Sequence, residues 1–216
     1  MIKNVLFDLD GTITDPAIGI TNSVIYALKK YGMEIPERSA LYKFIGPPLA
    51  ASFSEHCGFS REEGFRAVEI YREYFSTKGI YENNVYPGIE EMLKFLKDNG
   101  IGVYLATSKP EVFAKKILKH FGLERYFDDA VGSELDGERV EKADVIECVL
   151  ARHNLKDAIM VGDRSYDICG AKKNGIPSVG VLYGYGSRKE FEDAGTDYIA
   201  ETVEELQKLL RLKSGI

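Results

Sequence analysis

Cysteine and histidine are scarce in this chain of 216 residues, with three of each, and neither is grouped. Cys57, Cys148 and Cys169 form no Cys-x-x-Cys pair, and His56, His120 and His153 have no metal-ligand spacing. A disulfide scaffold and a thiolate or imidazole metal centre are therefore not expected, and the cysteines read as small buried hydrophobes in a reducing compartment. No uncharged run reaches 18 residues, and the apolar start is broken by Asp8 and Asp10, so neither a membrane helix nor a signal-peptide core is expected. These absences predict a cytoplasmic protein. Basic residues are outnumbered 28 to 34 and interleaved with the acids, giving a formal charge of −6. That balance leaves no basic stripe for a nucleic acid polymer and no polybasic membrane anchor. An anionic ligand gains nothing from such a field and has to be held locally, by a metal ion, a lysine or helix amino ends. Repeats and low-complexity tracts are also missing. Apolar residues at 44% and charged residues at 29% suit a soluble globular chain, long enough for one core or a core with a small insertion.

The most informative segment is Val5-Leu6-Phe7-Asp8-Leu9-Asp10-Gly11-Thr12-Ile13-Thr14-Asp15. An apolar strand ends here on two acids spaced two apart, a spacing that places both on one side. Their repulsion needs a cation or a proton to relieve it, which is a chemical rather than a packing arrangement. Gly11 lets the backbone turn sharply, and Thr12 can bond a nearby main-chain group. Asp-x-Asp-Gly-Thr-apolar-x-Asp arises by accident in roughly a few of 10⁵ chains of this length.

After this segment the pattern is helical over about residues 16–86. Apolar residues at helical spacing mark a helix over 18–31, ending at Gly32, and Phe65, Val68, Tyr71 and Phe75 line one face of another. The loop Phe44-Ile45-Gly46-Pro47-Pro48-Leu49 leads into a helix carrying Phe53. From Pro87-Gly88 the pattern alternates. Helices are predicted around Ile89 to Leu96, Phe113 to Phe121, and over 141–153, 166–173 and 202–212, with strands over 101–106, 130–132, 158–161 and 178–181 and near Tyr198. The alternation predicts an α/β fold, a doubly wound, Rossmann-like parallel sheet, with a core of 1–15 and 87–216 interrupted by a helical insertion over 16–86. Ligands of such sheets bind beyond the carboxyl ends of the strands. Three later strand ends carry polar residues. One is Thr107-Ser108-Lys109, where hydroxyls also suit a helix cap; the others are the region of Lys142, a residue type usually solvated, and Gly162-Asp163 with Asp167 four residues on.

The opening segment resembles motif one of the haloacid dehalogenase superfamily, and the placement of the insertion resembles that superfamily's helical cap. In that family the first Asp is the nucleophile and the second the general acid and base. The resemblance implies that Asp8 attacks phosphorus and Asp10 handles the proton, and an acid at position 10 implies phosphoryl transfer rather than dehalogenation. Thr107 matches motif two, with Ser108 as a helper, both toward the phosphoryl group. Lys142 matches the motif-three lysine that holds the phosphate, although the frequent Lys-Pro pair is replaced by Lys142-Ala143, which leaves Arg139 or Lys109 as other partners. Asp163 and Asp167 match motif four, with Arg164 where a smaller residue is common. Two unit charges about 4 Å apart repel by about 4 kcal/mol at an effective dielectric of 20, so four carboxylates and a phosphate dianion require a divalent cation. All-oxygen ligation suits Mg²⁺. By resemblance it is held by the carboxylates of Asp8 and Asp163, the Asp10 carbonyl and, through water, Asp167.

The whole pattern is similar to phosphoglycolate phosphatases and related 5′-nucleotidases, which implies a small phosphorylated metabolite as substrate. The loop over 45–49 is nearer the nucleotidases, with Lys43 beside it. Two other readings stay open: a sugar phosphomutase of the same superfamily, and a non-enzymatic phospho-acceptor domain of the receiver type. Oligomeric state is not legible.

Overall fold

A computed structural model describes residues 1–135 and 141–216. The chain divides into two compact units, Met1–Asp15 with Val85–Ile216, and Pro16–Asn84. The first begins with strand β1 (Asn4–Phe7) and a two-residue strand β2 (Thr14–Asp15). In the second unit, α1 (Ala17–Lys30) is followed by a 3₁₀ segment over Arg38–Phe44, then α2 (Leu49–Cys57) and α3 (Arg61–Phe75). The chain returns through β3 (Asn84–Val85) to α4 (Ile89–Asp98), β4 (Gly102–Pro110), α5 (Glu111–His120) and β5 (Asp129–Ser133). It ends with α6 (Lys142–Arg152), β6 (Ala158–Gly162), α7 (Ser165–Lys173), β7 (Ser178–Val181), α8 (Arg188–Ala194), β8 (Tyr198–Ala200) and α9 (Val203–Ser214).

Six parallel strands form a sheet in the order β5-β4-β1-β6-β7-β8. Successive residues of β1 and β6, such as Val5 and Leu6 or Ile159 and Met160, are all fully buried, as a sheet covered on both faces requires. One face packs Leu6, Tyr104, Ala106 and Met160 against Val145, Ile146 and Val149 of α6 and Ala171 of α7. Helix α4 shows how the covering helices are specified. Ile89, Met92, Leu93 and Leu96 are all fully buried at i, i+3, i+4 and i+7, and burying each such side chain is worth about 1.5–3 kcal/mol. The chain runs outward from β1 to β4 and β5, then crosses to the other side of β1 as β6. The carboxyl end of β1 thus lies at a switch point between those of β4 and β6, where Phe7 is level with Leu105 and Val161.

Several expectations need correction. Phe65 is 52% exposed rather than part of the buried face of α3. That face is Gly64, Ala67, Val68, Tyr71 and Phe75, because α3 approaches α2 so closely that a Cβ on Gly64 would stand 2.7 Å from the Ala50 carbonyl. None of the cysteines is buried: Cys57 and Cys148 are half-buried and Cys169 is exposed, each beside rather than within its helix's apolar stripe. Helix α8 was not expected, since Phe191 is its one buried residue and a single apolar side chain carries no period. Its ends are nevertheless encoded, by the Ser187 side chain accepting from the Glu190 N–H and by Gly195 in the left-handed region. Strand β4 runs four residues beyond the expected Ala106, for a reason that belongs to the site.

Candidate active site

The turn after β1 is built by main-chain bonds. The Asp8 N–H donates to the Val161 carbonyl at 2.9 Å, extending the β1–β6 ladder, and the Leu9 carbonyl accepts from the N–H groups of Thr12, Ile13 and Thr14. The Thr12 hydroxyl does not join in as expected; it is buried with no partner among the described residues. Gly11 is obligatory, with φ at +82° and a hypothetical Cβ only 2.0 Å from Asp163 Oδ2.

The two acids of this turn meet different lysines. Lys142, the first residue of α6, is only 5% exposed. Its Nζ lies 2.7 Å from Asp8 Oδ1 and 2.8 Å from Asp167 Oδ1, and donates to the Ala106 carbonyl at 3.0 Å. The residue type expected to be solvated in isolation is here a buried three-way contact. Lys109 Nζ instead donates to Asp10 Oδ2 at 2.5 Å. It reaches inward because β4 bulges: Ala106 pairs with Val131 and Pro110 with Ser133, so four steps on one strand match two on the other. The bulge requires Gly132, where a Cβ would stand 2.5 Å from the Lys109 carbonyl. Arg139, the other partner considered for Asp8, lies outside the described residues.

Thr107 is buried within the same bulge, and its hydroxyl accepts the Lys109 N–H at 3.2 Å, which leaves its own proton to donate. Ser108 is half-buried, and its carbonyl accepts the Ser133 hydroxyl at 2.8 Å. Beyond β6, Asp163 and Asp167 are both buried. Asp163 Oδ2 accepts the Tyr185 N–H at 2.9 Å, and Asp167 Oδ2 accepts the Arg164 N–H at 3.1 Å. Gly162 is the residue that lets Asp167 fold back, since a Cβ there would lie 2.1 Å from Asp167 Cγ. The Arg164 side chain points to Glu190 of α8, its Nε 3.1 Å from Oε1.

Burial sets the protonation of the cluster. It raises Asp163 well above the usual carboxylate range, helped by the charges of Asp167 and Asp8. It pushes Asp167 up to about 6, against the pull of Lys142. Asp10 is raised as well, chiefly by burial and only secondarily by Asp8, with Lys109 opposing; repulsion between carboxylates was expected to be the main cause. Burial works against the charge of Lys142, but Asp167 and Asp8 outweigh it and hold the ammonium above its ordinary value.

Asp8, Asp163 and Asp167 each offer an oxygen within 4.8 Å of the others. Among the described residues the ammonium within ion-pair distance of this trio is that of Lys142, which reaches Asp8 and Asp167. Among the described residues, nothing donates to the buried Asp163 Oδ1. Fully ionised, this all-oxygen cluster has two negative charges in excess, and with its orphaned carboxylate oxygen it fits a hard divalent cation.

The profile of the family described as haloacid dehalogenase-like hydrolase matches residues 5–181. The chain belongs to the haloacid dehalogenase-like hydrolases. It is 47% identical over 189 residues to a 5′-nucleotidase of Pseudomonas aeruginosa, covering 87% of this chain and 86% of that one. It is 38% identical to the tyrosine-protein kinase PtkA of Mycobacterium tuberculosis, over 95% of this chain and 72% of PtkA. It is 26% identical to a phosphoglycolate phosphatase of Vibrio parahaemolyticus, over 99% and 98%. A crystal structure of a predicted phosphatase from Clostridium acetobutylicum superposes with a TM-score of 0.95 at 51% identity, over 97% and 98% of the two chains. The chain is a phosphatase of this family, and the reading as a non-enzymatic phospho-acceptor is set aside. No helix among the described residues is long and apolar enough to cross a membrane.

Sequence reasoning misplaced one group at the site and missed another. Lys109 was weighed as an alternative to the phosphate-holding Lys142 rather than as the partner of Asp10, because the bulge that turns it inward leaves no periodic trace. Tyr185 was missed altogether, although Gly184-Tyr185-Gly186 just past a strand end is a signal for close backbone approach.

Proposed function

We propose that this phosphatase hydrolyses a small phosphomonoester in two steps through an aspartyl phosphate on Asp8, with Mg²⁺ as cofactor. The observation that carries the reading is the buried convergence of Asp8, Asp163 and Asp167, two of which, Asp8 and Asp167, meet the ammonium of Lys142. Asp8, Asp163 and the Asp10 carbonyl would hold the ion, with Asp167 reached through water. When bound, it supplies positive charge to the phosphoryl oxygens.

In the first step the Asp8 carboxylate attacks phosphorus in line while Asp10 gives its proton to the leaving oxygen, releasing the alcohol. Asp10 suits this role because burial raises its pKa. Its Oδ2 is occupied by Lys109, and Oδ1, buried without a partner among the described residues, is the oxygen left to carry the proton. In the second step the Asp10 carboxylate takes a proton from water, which attacks phosphorus, frees phosphate and restores Asp8. Thr107, Lys142 and the Leu9 and Asp10 amides stabilise the phosphoryl oxygens as charge builds. Ser108 serves as a helper to Thr107 by family resemblance. The unit Pro16–Asn84 is assigned the role of a cap by family resemblance, and the setting is cytoplasmic.

The greater likeness to a 5′-nucleotidase makes nucleoside 5′-monophosphates the first substrates to test, ahead of phosphoglycolate. A phosphate-release panel with Mg²⁺, including nucleoside monophosphates, phosphoglycolate, sugar phosphates and pyrophosphate, is expected to show turnover that chelation abolishes. Asp8→Asn is expected to reduce kcat at least about 10⁴-fold, the loss typical of a missing nucleophile. Appreciable turnover by that variant would refute the assignment, and an isomerised sugar phosphate in place of free phosphate would favour a mutase.

A further inference from the structure

The segment Gly184-Tyr185-Gly186 is pressed against Asp163 more closely than side chains would permit. A Cβ on Gly184 would stand 2.3 Å from the Gly11 carbonyl oxygen and 2.4 Å from Asp163 Cβ, and one on Gly186 would stand 2.1 Å from the Asp163 carbonyl oxygen. Between the glycines, the Tyr185 N–H occupies Asp163 Oδ2 at 2.9 Å and leaves Oδ1 without a donor among the described residues. One carboxylate oxygen is thus restrained and the other presented. The segment is tied down at its far side by phenols. The Tyr185 hydroxyl donates to Asp15 Oδ1, and the Tyr183 hydroxyl donates to the Thr12 carbonyl at 3.1 Å. Tyr86 packs edge-on against Tyr183, ring centroids 5.0 Å apart. Asp15, the last acid of the opening motif, has no part in the chemistry above and finds its partner here.

We propose that Tyr185 is a positioning residue for the cation site: its phenol, anchored on Asp15, fixes the backbone amide that restrains Asp163 Oδ2 and so presents Oδ1 to the metal. The inference rests on the reading of the acidic cluster as a Mg²⁺ site. A ligand carboxylate tethered at one oxygen binds without first losing rotational freedom, and partners that orient ligands in this way commonly contribute 10- to 100-fold in affinity.

The test is calorimetric titration of Mg²⁺ into metal-free wild type, Tyr185→Phe, Asp15→Asn and the double variant, with the melting temperature of each metal-free protein measured alongside. Each single variant is expected to bind Mg²⁺ about tenfold more weakly, the lower end of that range because Tyr185 acts through its own backbone. The double variant is expected to be no weaker than the worse single one, since each single variant already removes the Tyr185–Asp15 bond, and melting temperatures are expected to stay together. Unchanged affinity in either single variant overturns the proposal, as does a double variant whose loss is the product of the two. A loss of affinity that follows a matching fall in melting temperature assigns the bond to folding alone and overturns it too. Wild type that fails to bind Mg²⁺ sinks the metal reading itself, whereas wild type that binds beside unaffected variants sinks only the role of Tyr185.

Discussion

Lys142 and Lys109 are both buried ammonium groups, each bonded to an acid of the opening motif, yet they stand in opposite electrostatic situations. Lys142 begins a helix and serves Asp8, Asp167 and a carbonyl oxygen at once. Lys109 sits in a strand bulge and donates to Asp10, which burial already inclines to hold a proton. The first lysine neutralises charge that two carboxylates share. The second adjusts a proton equilibrium. The contrast teaches that ion-pair distance alone does not set a pair's importance; the partner's alternative protonation state does.

The sharpest way to break the comparison is to remove each ammonium while keeping its stem. Lys142→Met leaves Asp8 and Asp167 buried and facing each other, and breaking a buried pair in this way typically costs about 3–5 kcal/mol. Denaturant unfolding of the metal-free protein is expected to show a loss of that order, with turnover falling by orders of magnitude. A loss below about 1 kcal/mol, the scale of an exposed pair, would mean that Lys142 is not what holds the acids together.

The next effect concerns acids that no lysine fully serves. Asp163, Asp10 and Asp167 all have raised folded-state pKa values, the last at about 6. A carboxylate raised by folding binds its proton more tightly in the native state, so its stabilisation is complete below the unfolded value and disappears as pH rises through the folded one. Between about pH 4 and 7 the metal-free protein is therefore expected to lose stability as pH rises, Asp167 alone, pushed up to about 6, contributing up to about 3 kcal/mol. Saturating Mg²⁺ is expected to flatten or reverse the slope, because the ion takes the deprotonated form. Melting curves across that range with and without Mg²⁺ check both signs, and equal slopes would argue against a cation at the cluster.

How much of this was legible in the sequence follows from the range over which each signal acts. The α/β alternation was legible because every sheet strand needs apolar residues on both faces and the longer covering helices need a stripe. The switch-point location of the site then followed from strand ends carrying Asp8, Thr107 and Asp163. What periodicity could not show was anything made by close approach: Gly64 rather than Phe65 facing α2, the bulge that turns Lys109 inward, and the glycines that bring Tyr185 onto Asp163. Nor could it show how the lysines divide the acids, since Lys109 and Lys142 lie 99 and 134 positions from their partners Asp10 and Asp8.

The smallest effect separates the two lysines most cleanly. Lys109→Met removes the group that favours ionised Asp10, so the Asp10 pKa is expected to rise, and the proton that Asp10 then keeps limits the cost in stability. The first step needs Asp10 protonated. Its rate, followed as kcat/KM between about pH 5 and 9, is thus expected to decline at a pH higher than in wild type by about one unit, or about 1.4 kcal/mol. Lys142→Met, by contrast, is expected to lower the whole profile, because it disables Asp8 and not the acid. A basic limb that moves downward in Lys109→Met, or stays fixed while the plateau collapses, would give Lys109 the same duty as Lys142 and erase the distinction between them.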